Sequence, residues 1–597
     1  MKSKQTFFIF TLLCFTGMTQ AQVILGTDTS QHIKVTTSSD FQPQYWTQTA
    51  SGEKTINKVG LEGPLMEASR FLSQASLGAD LELTHRVAEM GIEAWIDEQM
   101  SLPQTELLET LNAVYAEVIE WYLLNGGDPD EISARPSWTV FNYAWWESHM
   151  RAEDVLRHKV ALALSEIFVI SFDSDLSGHG PGLADYYDLL LRNSFGNYRD
   201  LLHEISLHPT MGYYLSHLNN PKEIEEENIH PDENYAREIM QLFSIGLYEL
   251  NQDGSRKTDT LGNWIPTYNQ THIKELAKVF TGLGVGEVME NEFVDEPFFG
   301  LDIYLADMTV PMIMYEDWHQ QGTKTMLNGY VIPDGQDGMT DIEDAIDQLF
   351  MHPNVGPFIG KQLIQRLVTS NPSPAYIARI SAVFADNGQG ERGDLGAVIK
   401  AILMDPEART CEASLDESFG KLREPFMRYT HFTKAIALEH FYGRYWNVGY
   451  GFYIATGQVP LASRTVFNFF LPDYQPLGPI NENDLVGPEY QLHNSRTSIE
   501  YINQVNDWAV WGYVMDDWED NHPYVTYNID ELKTLARDPE VLINRLDVLF
   551  TYGMLSERTR QIIKEAITPL ISGDYRDDRV RLAIYLMMIS PDYAIMK

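Results

Sequence analysis

The sequence predicts a mainly α fold, a multi-helix globular core built from capped helix pairs with a small β-hairpin and long irregular loops. Apolar residues recur at helical spacing through most of the chain from Pro64 onward, as in PLMEASRFLSQASLG and THRVAEMGIEAWIDEQMSLP. These runs end near Gly or Pro, where helices stop. Only Leu250 to Tyr268 reads better as β, with turns at Asn251–Asp253–Gly254 and Gly262–Asn263 and flanks able to pair.

The chain has 597 residues, enough for two or more packed units, and its 44 % apolar and 12 % aromatic content marks a folded globular protein. A net charge of −42 argues against sequence-independent nucleic-acid binding and against electrostatic docking on anionic lipid. Residues 1–21 read as a secretory signal: Lys2 and Lys4, an apolar run from Phe7 to Phe15, and Thr19-Gln20-Ala21 as a cleavage site. No later stretch is long and uncharged enough to cross a membrane. The expectation is an exported protein, periplasmic or extracellular. Removal of the signal takes Cys14 with it and leaves Cys411 alone, so no internal disulfide is expected. Residues 22–60, rich in Thr, Ser and Gln, predict an extended N-terminal arm. A helical core domain is expected over 61–500 and a helical C-terminal region, packed on it, over 501–597.

The stretch HPDENYAREIMQLFSIGL, 230–247, predicts a central helix. Pro231 suits its first position and Asp232 and Glu233 suit its positive end. Ile239, Leu242 and Phe243 are expected to be buried, with Glu233 and Arg237 one turn apart. Thr340-Asp341-Ile342-Glu343 reads as a capping box opening a helical run that continues past Val368. Residues 284–335 are irregular and are expected to cover the core or line a site. A weak internal echo joins LLHEISLHPTMGYYL to AIDQLFMHPNVGPFI, and Asp-Pro and Ser-Pro repeat the step later. Asp and Ser are good N-caps; His208 and His352 are the odd members.

DENYAREIMQLFSIGL, NSFGNYRDLLHEISLHPTMGYYL, FIGKQLIQRLVTSNPSPAYI, RFLSQASLG, GKLREPFMR and VFNFFLPDYQP together resemble the domain of unknown function 1800 family, from about Ala68 to the C-terminus. The resemblance implies an exported, largely helical protein, often encoded beside a second exported protein of a sulfatase-like family. It implies no activity, substrate or catalytic residue.

Three groups of residues are candidate sites. Asp232, Glu233, Arg237, Glu238, His319, Lys324, Arg366, Arg423 and Glu424 are charged residues in apolar or turn-rich text. Gathered together, they would hold a cation or act as acid and base, or else form a buried Arg–Glu network that sets helix register. In the second reading Arg366 and Arg423 are the expected partners of Glu238, and Glu233 and Glu424 those of Arg237. Asp173, Asp175 and Ser177 followed by Gly178 copy half of a calcium loop, which Asp185 or Asp188 would complete; the alternative is a plain turn. The aromatics Phe441, Tyr442, Tyr445, Trp446, Tyr450, Phe452, Tyr453, Phe467, Phe469, Phe470 and Tyr474 either stack on a polysaccharide or cap a core. Gly282, Gly284 and Gly286 follow a helix rather than a strand and are not a nucleotide fingerprint. The leading expectation is a binding or assembly protein working with another exported protein or a surface polymer. The alternative is a secreted hydrolase at Asp232–Glu238 with His319.

Overall fold

The chain is mainly α, with small two-stranded antiparallel sheets between helices. The computed structural model describes residues 61–597 except 62, 134, 290–293, 411–415, 417, 441–443, 446–449 and 513–524. The signal, the N-terminal arm, Cys411 and the aromatics Phe441, Tyr442 and Trp446 therefore lie outside the described residues, as does the side chain of Tyr450.

The helix at the centre is Val155–Ser165, every residue of which is buried. Its sequence, VLRHKVALALS, has apolar residues all round, so it can only sit inside other helices. Ile92–Ser101, Gly180–Arg192, Val355–Leu367 and Gly63–Ala75 pack against it. Gly180–Arg192 in turn meets Leu107–Leu124 and Trp138–Arg151. One continuous apolar core runs from Ala68 to Tyr593, so residues beyond 500 share the core of those before it. Residue 500 falls inside the helix Ser495–Val505, and Ile595–Met596 pairs antiparallel with Lys421–Leu422.

The 230–247 stretch forms a shorter helix than its composition predicts, Asn234–Gln241. At its start the amide of Asn220 accepts from Asp232 N–H at 2.8 Å, and the Asp232 carboxylate accepts from Asn234 N–H at 2.7 Å. Asp232 is thus a turn residue that precedes the helix. At its end the Ser244 hydroxyl donates to the Ile239 carbonyl at 2.5 Å, and Gly246, at φ +69°, reverses the chain. Ile239 and Phe243 are fully buried as expected, but Leu242 is half-buried and Leu247 is exposed.

The expected hairpin is a three-limbed antiparallel meander, bridged at Tyr248–Pro266, Leu250–Arg256 and Thr258–Trp264. Gly254 and Gly262 turn it at φ +78° and +84°, backbone that an L side chain rarely adopts. The expected run from Thr340 past Val368 is two helices, Gly338–Phe350 and Val355–Leu367. Its cap is Asp337, which accepts from Thr340 N–H at 3.0 Å, so the helix begins before the capping box.

His352-Pro353 separates those two helices, as His208-Pro209 separates Tyr198–Leu207 from Pro209–Tyr214. Both histidines act through Nδ1, which accepts the backbone N–H two residues on, at 3.2 Å in each case. An accepting Nδ1 places the ring proton on Nε2, which faces Asp185 at 3.1 Å in one and Glu249 at 3.7 Å in the other. Of the odd members of the echo, His208 caps Pro209–Tyr214, whereas His352 closes a turn onto Asn354, the residue before Val355–Leu367. Asp405 and Ser590 cap the Asp-Pro and Ser-Pro steps in the ordinary way.

Candidate functional site

The candidate residues separate into three places. Around Asn234–Gln241, Arg237 pairs with Glu233 at 3.1 Å, but both are partly exposed. Glu238 is buried, and its Oε2 has no hydrogen-bond partner among the described residues. Burial raises its pKa, against the pull of Arg237. Neither Arg366 nor Arg423, the expected partners of Glu238, pairs with it; both are engaged elsewhere.

His319 and Lys324 form the second place, beneath the irregular 284–335 segment. Their common partner is Asp341, on the first turn of Gly338–Phe350. Its Oδ2 lies 3.1 Å from His319 Nε2 and in direct contact with Lys324 Nζ. The other ring nitrogen of His319 donates to Thr281 O at 2.9 Å. All three side chains are almost completely buried. This group ties a loop to a helix and touches neither Asp232 nor Glu238.

The third place is a buried charge group that sequence reasoning only half found. Lys159 and Glu166 come from and just follow the central helix, Arg366 from Val355–Leu367, and Lys421 and Glu424 from the segment entering Pro425–Ala435. Gln458 and Glu489 complete it, and every member is at most 5 % exposed. Arg366 donates from Nη2 to Glu166 O at 2.6 Å, and its Nε lies 3.4 Å from Glu166 Oε2. Lys421 donates to Arg366 O at 2.8 Å and stands 3.1 Å from Glu489 and 3.6 Å from Glu424. Gln458 donates to Glu424 at 2.5 Å.

Glu166 and Glu424 act on each other's ionisation. Two adjacent carboxylates cannot both be charged in such a site. Burial and the charge of Glu424 push Glu166 well above the usual range. Burial acts on Glu424 too, but Lys421, Glu166, Lys159 and Gln458 together outweigh it and hold that carboxyl low. Of the two, Glu166 is the one that keeps its proton more readily. Burial and neighbouring Lys421 bring Lys159 down to about 7. Arg423 is separate: it donates to His431 Nδ1 and covers the ring of Tyr593 at 4.5 Å. The signal for the missed members was present in the text. Lys159 and Glu166 lie seven residues apart, two helical turns, as charges inside a long apolar run.

Glu166 and Arg366 also line a cleft of about 270 Å³. Leu242, Tyr248, Phe358 and Phe467 supply apolar walls, while Leu247, Phe467 and Leu471 are exposed at its mouth. Of the expected aromatic set, Phe467 alone lines this cleft. Phe452 and Phe470 are buried, and Tyr445, Tyr453, Phe469 and Tyr474 half-buried.

The expected calcium residues are dispersed in their bonding. Asp175 accepts from Tyr213 at 2.6 Å and Asp185 faces His208. Asp173 is exposed, and Ser177 lies in the short 3-10 helix Asp175–Gly178. Asp188 caps Leu107–Leu124, accepting from Leu107 and Leu108 N–H at 2.7 and 2.8 Å. Among the described residues no three His, Cys, Asp or Glu side chains gather closely enough to hold a metal.

The family model described as protein of unknown function (DUF1800) matches residues 70–595. The chain belongs to that family. Its match covers the charge group, the cleft and the His–Asp–Lys tie alike, so all three are parts of the family's domain. No curated protein and no solved structure matches the chain.

Proposed function

We propose that this is an exported binding protein whose partner inserts a segment into the cleft between the 248–267 meander, Val355–Leu367 and residues 466–473. The observation that carries the reading is the composition of the cleft. It joins exposed apolar side chains to polar groups that have no partner among the described residues. Lys361 Nζ has neither an ion pair nor a hydrogen bond among the described residues, and Gln362 Nε2 and Gln365 Oε1 are buried without partners. Buried polar atoms without partners are costly in a folded chain, and a ligand is the means of satisfying them. A hydrolase built on Asp232–Glu238 and His319 receives less support, because both ring nitrogens of His319 are held by Thr281 and Asp341.

Site-specific photo-crosslinking in the native cell tests this. A benzophenone amino acid replaces Phe467 at the mouth of the cleft or, as a control, Ile571, which is 75 % exposed in a remote loop. A discrete adduct from position 467 that is missing from position 571 is expected. Equal adducts from both positions, or none from 467, overturn the reading.

A further inference from the structure

Resting on the reading of the cleft as a binding site, we infer that its ligand is the C-terminal end of another polypeptide. The ligand presents a free carboxylate, one amide N–H and a large apolar last side chain. The unpartnered groups of the cleft match those features one by one. Lys361 Nζ has no ion pair or hydrogen bond among the described residues, and burial and the nearby charge of Arg256 lower its pKa against the counter-pull of Asp473, a strain that a ligand carboxylate would relieve. Arg256 stacks on Trp264 with its guanidinium 4.0 Å from the ring centroid and has no carboxylate partner among the described residues. Arg366 Nε lacks a hydrogen bond of its own. Lys361 and Arg256 act on each other through their charges, and Arg366 lines the same cleft while held by Glu166; a carboxylate is the group that takes donors alone.

The acceptor is equally telling. Gln365 is 2 % exposed, and its Nε2 donates to Ser370 O at 2.9 Å and to Pro472 O at 3.0 Å. Those two carbonyls fix the amide orientation and leave Oε1 as an unpartnered acceptor. A fatty acid has no N–H to offer it; the last peptide bond of a polypeptide has one. Leu247, Phe467 and Leu471 continue the apolar lining outward, where the preceding residues of a peptide would lie. A net charge of −42 repels polyanions, whereas one carboxylate among Lys361, Arg256 and Arg366 is accommodated. Residues 595–597 of this chain are committed elsewhere: Ile595–Met596 pairs with Lys421–Leu422, and Lys597 O accepts from Arg70.

The test uses fluorescence anisotropy on the purified full chain with labelled hexapeptides of five alanines and a last residue Leu, Phe, Ala or Lys. Each is made as the free acid and as the C-terminal amide, and unlabelled decanoate serves as competitor. The Leu and Phe acids are expected to bind at least tenfold more tightly than their amides and than the Ala and Lys acids. Lys361→Met should bring acid binding down to the amide level, with an unchanged melting curve to show that the variant is folded. The acid-amide contrast needs no variant, so a misfolded Lys361→Met would not rescue the idea. Equal binding of acid and amide removes carboxylate recognition but leaves the cleft as a binding site. Decanoate binding without peptide binding assigns the carboxylate to a lipid and overturns the polypeptide end. No binding of any probe, with the adduct at position 467 still formed, removes this ligand class alone. Loss of both the adduct and all probe binding removes the binding reading with it.

Discussion

The His319–Lys324–Asp341 tie and the Glu166–Glu424 group are assembled from the same kinds of side chain, yet they differ in what surrounds them. The tie has one carboxylate for one lysine and a histidine, and it is enclosed by backbone. The larger group has three carboxyls, two of them acting on each other's ionisation, and it borders a cleft through Glu166 and Arg366. A balanced enclosed pair behaves as a fastener. A group beside a cavity, in which one carboxyl is pushed up by burial and a neighbouring carboxylate, keeps a proton that can be lost and polar atoms that can be claimed.

The sharpest way to break this contrast is Asp341→Asn, which keeps the shape and leaves Lys324 as a buried charge. A loss of about 3–5 kcal/mol is expected, read by chemical denaturation; a loss below about 1 kcal/mol would show that the tie is not a fastener. Lys421→Met removes the cation between Glu424 and Glu489 and should cost about 3 kcal/mol. An unchanged denaturation midpoint for that variant would mean that the carboxyls find other partners.

Glu166→Gln should cost less than about 1 kcal/mol, because the carboxyl it replaces is already protonated in the folded chain. Its signature is the pH profile. A folded pKa above the unfolded value of about 4.3 means that the folded state holds a proton the unfolded state has released. The parent's stability from this group is present below about pH 4.3 and is lost as pH rises toward the elevated value. The Gln variant should lack that slope, and parallel pH profiles for the two proteins would count against the retained proton. Glu238→Gln is expected to have the smallest effect, within about 0.5 kcal/mol or slightly stabilising, since it neutralises a buried acid without an acquired partner. A large loss in thermal denaturation would reveal a partner for Glu238 after all.

Helix positions were legible where periodicity and punctuation agreed. Gly63–Ala75 falls on PLMEASRFLSQASLG, where the apolar spacing predicts a helix, and the turns of the meander sit on the Gly residues that mark them. The 230–247 stretch was misleading for a tertiary reason: Asn220, from a different part of the chain, holds Asp232 outside the helix. Of the nine charged candidates, Glu238, Arg366, Arg423 and Glu424 were given the wrong partners, because partner choice depends on which helices pack. Val355–Leu367 carries Arg366 to Glu166 rather than to Glu238. Lys159 and Glu166 were readable as charges in an apolar run, but their apolar neighbours masked them. The cleft itself has no sequence signature, since Leu242, Phe467 and Gln365 come from three separated segments.

The two imidazole acceptors have a consequence that Asp or Ser in the same place would not impose. The acceptor at the start of Pro209–Tyr214, like the one that closes the turn onto Asn354, is a ring lone pair. For His352 burial lowers the pKa, so the folded chain binds the neutral ring and the unfolded chain takes up the proton first. Acidification through about pH 6.5 therefore draws stability from that joint. Protonation of the His352 ring also turns the acceptor into a donor facing the N–H it had held. That joint is thus sensitive to acid at the bend between two helices, and it lies beside the meander that walls the cleft: Asn354, two residues after His352, donates to Tyr248 O at 2.8 Å.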